Sequence, residues 1–114
     1  MQLVGKQKIE DCKKVHADLR DKLDAFVAWV EAGQWKMPKD LQNSLGKPDK
    51  VGDYYVFDVG GKKGARVSVI IVFIKETVLI HKIFTDHNLY MKWSQEVIKE
   101  ARKIRKSNTK KKKS

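Results

Sequence analysis

Residues 54–84 constrain the fold of this chain more than any other stretch, because their apolar residues repeat with the period of a β-strand. In the first segment Tyr55, Phe57 and Val59 alternate with their neighbours, as expected for a strand that turns its odd-numbered face toward a core. The glycine- and lysine-rich residues 60–64 then predict a tight turn. A hairpin is therefore expected here.

The returning segment, residues 66–74, is apolar on both faces from Val69 onward, which is typical of a central strand. Residues 75–77 predict another tight turn, and residues 78–84 a third strand. The simplest arrangement of these segments is an antiparallel meander.

The N-terminal half is predicted to be mainly helical. Residues 1–4 predict a short leading strand, and residues 6–15 predict a short amphipathic helix. Asp18 is expected to cap a second helix, which Gly33 ends. Residues 38–45 predict one further short helix. The stripe of the second helix consists of Leu19, Leu23, Phe26, Val27 and Val30.

A last helix is predicted to begin at Asp86, which can cap it, and beyond Arg105 no apolar residue remains to be buried. We therefore expect one α+β domain over residues 1–105 and a disordered basic tail over residues 106–114. The domain should contain a small antiparallel sheet of three to four strands, two N-terminal helices packed on one face, and a C-terminal helix. The stripe of the last helix is Tyr90, Trp93, Val97, Ala101 and Ile104.

The formal net charge of +11 favours a polyanion as partner. Residues 94–114 contain nine Lys and Arg and two Glu, a net charge of +7, which leaves +4 for residues 1–93. The tail has two interpretations, either a salt-sensitive attraction to RNA that is independent of sequence, or a solubilising end without a specific site.

Several function classes are not favoured. Cys12, His16, His81 and His87 occur singly, without the short paired spacings of metal ligands, so no metal site is predicted. The glycines at positions 60, 61 and 64 lack the spacing of a Walker or dinucleotide-binding loop, and no cofactor is predicted. The single cysteine excludes an intrachain disulfide and fits a reducing compartment. No secretion signal and no apolar run of membrane-spanning length is found, so we expect a cytoplasmic protein without membrane contact.

Three strings in the same order resemble the HigB toxin family, a branch of the RelE-like ribonucleases of bacterial type II toxin–antitoxin systems. They are Tyr-Val-Phe-Asp-Val-Gly-Gly at residues 55–61, Arg-Val at residues 66–67, and Thr-Asp-His-Asn-Leu-Tyr-Met-Lys at residues 85–92. The resemblance covers most of residues 1–93. Two departures are the additional Asp86 between Thr85 and His87, and Met91 where the family commonly has an aspartate.

The resemblance implies a RelE-like fold and a metal-independent endoribonuclease, an mRNA interferase that cleaves mRNA largely on translating ribosomes. It also implies silencing by a HigA-type helix-turn-helix antitoxin. Direct binding of DNA by this chain is not expected.

Metal-free RNA cleavage uses the 2′-hydroxyl of the RNA as nucleophile, so the protein must move protons and stabilise charge on the phosphate. Arg66 is the candidate for phosphate stabilisation, and His87, at the start of a helix, is the candidate base. Tyr90, three residues later, can orient the nucleophile, exchange a proton or stack on a base. The competing interpretations are a solvated strand-end charge for Arg66, an exposed polar residue for His87 and a core residue for Tyr90.

Lys62 and Lys63 at the hairpin turn, and Lys92 beside Tyr90, are candidates for RNA binding, although most surface lysines are only solvated charges. His81 is interpreted as a half-buried structural residue. Trp29 and Trp35 are interpreted as packing residues.

Two other functions remain open at this level. A non-catalytic RNA- or ribosome-binding protein would need only the charge, the tail and the aromatic residues. An interaction module would use its sheet edge or basic face to hold an acidic partner.

Overall fold

The structure is a computed structural model. It describes the backbone of residues 1–41 and 46–113 and the side chains of residues 1–41 and 46–102. The described part contains three α-helices and five strands. In chain order they are β1 (Gln2–Val4), α1 (Lys6–Val15), α2 (Arg20–Ala32), β2 (Asp49–Val51), β3 (Tyr54–Gly60), β4 (Ala65–Val72), β5 (Thr77–Phe84) and α3 (His87–Lys113).

The meander predicted from the period-two pattern is confirmed. β3 and β4 are antiparallel, with Phe57 opposite Val67, and β5 returns antiparallel to β4. Gly64 closes the first turn by donating its N–H to the carbonyl oxygen of Gly61. In the second turn Glu76 takes a left-handed conformation with φ 48°.

The sheet is larger than predicted, and it is mixed where an antiparallel sheet was expected. Its order in the described residues is β1-β5-β4-β3-β2, so that β2 extends one edge and β1 forms the other. β1 is the strand predicted at residues 1–4, but it pairs parallel to β5, with Leu3 opposite Val78. β2 could not be predicted, because a strand of three residues is too short to show an apolar period of two. The parallel pairing of β1 could not be predicted either, because its partner strand is distant in sequence.

The short helices differ from prediction in their detail. Pro38–Asp40 forms a single 3-10 turn in place of the helix predicted at residues 38–45, whose residues 42–45 lie outside the described chain. α2 begins at Arg20 after a 3-10 turn at Ala17–Leu19, and the side chain of Asp18 caps neither. The polar backbone groups are therefore satisfied by short 3-10 turns that side-chain patterns do not predict.

α2 ends before Gly33, as predicted, but for a different physical reason. Gly33 has φ −66°, which any residue can adopt. A Cβ atom there would lie 2.6 Å from the indole ring of Trp35. The glycine is needed for the close approach of that ring. Trp29 packs between Trp35 and Phe57, at centroid distances of 4.6 and 5.1 Å, which confirms that both tryptophans are packing residues.

The two faces of the sheet carry separate cores. The first core lies between the sheet and the helices α1 and α2, as predicted. Among its buried members are Ile9, Leu23, Phe26, Val30, Phe57, Val59, Val67, Val69, Val78 and Ile80. The second core is smaller and lies beneath α3. It consists of Val51, Val56, Phe84 and Tyr90, with Trp93 and Val97 packed against it.

A β-bulge at His81 places Phe84 in the second core. Ser68 is opposite Lys82, but Val69 is opposite Ile80, so His81 is an additional residue in β5. Strict alternation would place Phe84 on the same face as Ile80. The bulge reverses the phase, and Phe84 therefore turns toward α3 while Ile83 packs against the first core.

α3 extends from His87 through Lys113, so its backbone is helical over the segment for which the sequence predicts disorder. Lysine has a high helix propensity, and a helix started by packing at its N-terminal end can continue without further apolar residues.

Candidate functional site

Arg66 is turned by β4 toward the face of the sheet that α3 covers. Its neighbours Val67 and Val69 enter the first core, as the alternation of the strand predicts. Arg66 itself lies opposite Phe84 on β5 and opposite Asp58 on β3. Its guanidinium lies over the ring of Tyr90, with 4.7 Å between Cζ and the ring centroid. The structure thus brings two of the predicted catalytic residues into contact.

Two carboxylates flank the guanidinium of Arg66 at the distances of loose ion pairs. Nη1 lies 3.5 Å from Oδ2 of Asp49, and Nη2 lies 3.8 Å from Oδ2 of Asp58. The side chain of Arg66 is only 18% exposed, and its Nε is buried without a hydrogen-bond partner. The interpretation of Arg66 as a solvated strand-end charge is wrong.

Tyr90 belongs both to the core and to the site. It is 6% exposed and packs against Phe84 at a centroid distance of 6.0 Å. Its hydroxyl donates a hydrogen bond to Oδ2 of Asp49 at 3.3 Å. Burial, and secondarily the negative charge of Asp49, raises the pKa of the Tyr90 phenol. Since its ring is buried and covered by Arg66, Tyr90 cannot stack on a base, and only its hydroxyl is available for chemistry.

His87 is the first residue of α3 and is exposed. Its backbone N–H donates to the carbonyl oxygen of Lys63 at 2.8 Å, which ties the start of α3 to the hairpin turn. Its imidazole centroid is 6.2 Å from that of Tyr90. Asp86 caps the helix as predicted, since its Oδ1 accepts the N–H of Asn88 at 2.7 Å. His87 and Arg66 therefore both adjoin the ring of Tyr90, and the surface around these three residues is the candidate site.

The predicted RNA-binding lysines are divided between two places. Lys62 and Lys63 are exposed in the hairpin turn beside His87. Lys63 also lines a cavity of about 230 Å³ whose other walls are His16, Asp18, Leu19, Ala65, Thr85, Asp86 and Leu89. Lys92 is exposed on α3 two residues after Tyr90, about 200° around the helix from it. It is not part of the surface around Arg66.

Three charged residues of the site were missed by the sequence analysis. Asp49 reaches Arg66 only because β2 adds to β3 with Asp49 opposite Val56. Asp58 reaches Arg66 because the register of the β3–β4 hairpin places the two residues opposite each other. The alternation of apolar residues in the two strands could have predicted this pairing. Lys82 turns to the same face through the β-bulge, and its Nζ lies 5.5 Å from the ring centroid of Phe84.

His81 lies next to this surface but is held by packing. Its ring stacks on Tyr54 at a centroid distance of 4.3 Å, and its Nδ1 is hydrogen-bonded to Oγ of Ser68 at 3.2 Å. Burial, together with the positive charges of Lys8 and Lys82, lowers the pKa of the His81 imidazole. These contacts agree with the structural role predicted for this residue.

Neither a membrane span nor a metal cluster is found in the described part of the chain. None of its helices combines the length and the apolar character needed to cross a bilayer. Over the same residues, no three side chains of His, Cys, Asp or Glu lie close enough to hold a metal ion together.

The arrangement combines three kinds of chemistry on one surface. Arg66 offers positively charged donors that match the geometry of a phosphate. His87 offers an exposed imidazole, and Tyr90 a hydroxyl oxygen fixed by a carboxylate. A phosphate ester that contacts Arg66 would thus have groups able to accept and donate protons beside it.

Comparison with known proteins agrees with this fold. The model of the HigB toxin family, described as the RelE-like toxic component of a toxin–antitoxin system, matches residues 19–93. A search of curated proteins finds no match. The matched region includes both hairpins, the proposed catalytic residues Arg66, His87 and Tyr90, and the start of α3. Since it covers well over half of the 114 residues, the chain belongs to the HigB toxin family of RelE-like toxins, whose partners are antitoxins.

Proposed function

We propose that this toxin is a metal-independent endoribonuclease that cleaves mRNA on translating ribosomes in the cytoplasm, and that a HigA-type helix-turn-helix antitoxin silences it. The observation that carries the proposal is the guanidinium of Arg66, which packs on the ring of Tyr90, while the imidazole of the exposed His87 lies 6.2 Å from the same ring. Membership of a RelE-like toxin family supports RNA as the substrate.

In the proposed reaction the 2′-hydroxyl oxygen of the RNA attacks the adjacent phosphorus, and the bond from phosphorus to the 5′-oxygen breaks. The products are a 2′,3′-cyclic phosphate and a free 5′-hydroxyl. One proton must leave the 2′-hydroxyl and one must reach the departing 5′-oxygen. DNA lacks the nucleophile and is therefore not a substrate.

The catalytic roles are proposed from the chemistry and the position of each side chain. Arg66 stabilises the negative charge that develops on the phosphoryl oxygens. His87, which is exposed at the start of α3, accepts the proton of the nucleophile. Tyr90 orients that nucleophile through its hydroxyl oxygen, and the ammonium group of Lys62 or Lys63 in the hairpin turn donates the proton that the departing 5′-oxygen takes up. None of these steps needs a cofactor.

RNA binding is proposed for the hairpin turn, where Lys62 and Lys63 lie next to His87 and can contact phosphates that flank the cleaved bond. The cavity of about 230 Å³ beside Lys63 gives space for part of a neighbouring nucleotide. Lys92, on another face of α3, contacts RNA or the ribosome outside the cleavage site.

The proposal is tested by mapping the 5′ ends of an mRNA in a translating extract to which the wild-type protein, Arg66→Ala or His87→Ala has been added. Cleavage by the wild type and its loss in both variants is the expected result. Arg20→Ala, which removes an exposed arginine at the start of α2, is the matched control and should cleave normally. A substrate with 2′-deoxy sugars at the mapped sites should resist cleavage.

Equal cleavage by all four proteins would contradict the assignment of the site. Binding to ribosomes without any strand scission by the wild type would contradict the enzyme and favour the alternative, a non-catalytic RNA- or ribosome-binding protein.

A further inference from the structure

One carboxylate oxygen joins two of the proposed catalytic side chains. Oδ2 of Asp49 accepts the hydroxyl hydrogen of Tyr90 at 3.3 Å, and the same oxygen lies 3.5 Å from Nη1 of Arg66. Asp49 comes from β2, the outermost strand on its side of the sheet, and its side chain is 59% exposed. Its charge therefore acts at the rim of the surface formed by Arg66, Tyr90 and His87.

The contact decides what the hydroxyl of Tyr90 can do. A phenol has one proton, and in this arrangement that proton is directed to Asp49. The phenol oxygen then presents only lone pairs to any other group. It can accept a hydrogen bond from a 2′-hydroxyl, but it cannot donate one to a departing oxygen at the same time.

We propose that Asp49 is a positioning residue of the cleavage site, which fixes the Tyr90 hydroxyl as a hydrogen-bond acceptor for the nucleophile and holds the Arg66 guanidinium over the Tyr90 ring. This inference rests on the proposed ribonuclease function and deepens it. Asp49 does not contact the reacting atoms; it acts through Tyr90 and Arg66.

Asp58 provides an internal comparison, because it contacts Arg66 without contacting Tyr90. Its Oδ2 lies 3.8 Å from Nη2 of Arg66, and its Oδ1 accepts the N–H of Gly60 at 2.8 Å in the hairpin turn. Removal of Asp58 should therefore affect Arg66 and the turn, but not the direction of the Tyr90 hydroxyl. Asp53, exposed in the turn between β2 and β3, is a charge-matched control.

The alternative to a positioning role is an inhibitory one, in which the carboxylate of Asp49 occupies the place of the substrate phosphate on Arg66. The two roles predict effects of opposite sign. A positioning residue lowers the rate when it is removed. If the carboxylate is inhibitory, its removal raises RNA affinity and the rate of cleavage.

The experiment compares the full-length wild type with Asp49→Ala, Asp49→Asn, Asp58→Asn and Asp53→Asn in two measurements. The first is single-turnover cleavage on ribosomes programmed with a saturating mRNA. The second is the titration of the Tyr90 phenol, followed by NMR with ¹³Cζ-labelled tyrosine and assigned with Tyr90→Phe. Thermal unfolding of each variant verifies that the fold is retained.

Asp49→Ala should lower the single-turnover rate by roughly tenfold, the size expected when a hydrogen bond to a charged group is lost. It should also lower the pKa of Tyr90, because the charge and the hydrogen bond of Asp49 both raise it. Asp49→Asn keeps an acceptor for the hydroxyl and should lose less of the rate. Asp58→Asn should leave the pKa of Tyr90 unchanged, and Asp53→Asn should leave both quantities unchanged.

An unchanged or increased rate in Asp49→Ala would overturn the inference, and so would an unchanged pKa of Tyr90. If the wild type itself fails to cleave, the proposed function has failed, whereas an active wild type with an equally active Asp49→Ala leaves the function intact and removes only the role of Asp49.

Discussion

The guanidinium of Arg66 rests on the ring of Tyr90, with 4.7 Å between Cζ and the centroid, and this contact joins the second core to the chemistry of the site. The ring of Tyr90 is packed beneath α3, whereas its hydroxyl reaches Asp49. Core packing and the proposed catalytic role therefore belong to different atoms of one side chain, and substitution can separate them.

Tyr90→Phe keeps the ring and removes the hydroxyl, so the free energy of unfolding should change by about 1 kcal/mol or less. Cleavage should fall at least roughly tenfold if the hydroxyl orients the nucleophile. Tyr90→Ala also removes the ring and should cost about 3–5 kcal/mol of stability. Urea unfolding and single-turnover cleavage measure the two effects. Full activity in Tyr90→Phe would reduce Tyr90 to a packing residue.

The stability of the protein should fall as the pH falls below about 6.5, partly through His81. Burial, Lys8 and Lys82 lower the pKa of His81 in the folded protein below its ordinary value. The unfolded chain therefore binds the proton first, and the stability that is present above pH 6.5 is lost as the pH falls toward the folded pKa. Urea unfolding of the wild type at pH 7.5 and pH 5.5 measures this loss.

The matched variant for this measurement is His81→Gln, which has no titrating ring. Its loss of stability between the two pH values should be smaller than that of the wild type. Equal losses in both proteins would mean that other groups cause the pH dependence.

Gly64→Ala should impair cleavage more than Gly61→Ala. Both glycines have positive φ, 71° and 89°, so alanine strains the backbone at either position. A Cβ on Gly64 would lie 3.2 Å from Cβ of His87, whereas one on Gly61 would lie 3.0 Å from Cδ2 of the buried Leu19 and would meet no proposed catalytic side chain. Thermal unfolding should show losses of similar size, on the order of 1 kcal/mol each. The idea fails if the two variants cleave equally well.

Deletion of residues 110–114 should weaken RNA association and make it less sensitive to salt. The segment contains four lysines, and their removal should reduce the slope of log K against log salt concentration by up to roughly three for a single strand. Filter binding over a range of salt concentrations measures that slope. Single-turnover cleavage at saturating RNA should be unchanged, and its loss would show that the tail takes part in the chemical step.

The strands and helices whose apolar residues repeat with a clear period could be predicted from the sequence. α1 begins and ends at the predicted residues, and the β3–β4 hairpin follows from the alternation around Phe57 and Val67. The parallel pairing of β1 could not be predicted, because it depends on contacts between residues far apart in sequence. The β-bulge at His81 was also missed, since one added residue reverses the phase of a strand without changing its composition.

The candidate site was predictable to the extent that residue type suggests chemistry. Arg66, His87 and Tyr90 could be selected because guanidinium, imidazole and phenol groups suit phosphate chemistry and because they lie in the strings that resemble the HigB family. Asp49 could not, since an aspartate in a three-residue strand at the sheet edge carries no local signal. Its contact with Tyr90 spans 41 positions of sequence and exists only after the sheet is assembled.

The placement of α3 links the proposed site to the stability of the second core. The same helix closes the second core through Tyr90 and Trp93 and presents His87 beside the hairpin turn. Displacement of α3 from the sheet would expose Phe84, remove the Tyr90 ring from Arg66 and move the imidazole of His87 away from the hairpin turn. We therefore expect that loss of the proposed site and local unfolding of this helix are a single event.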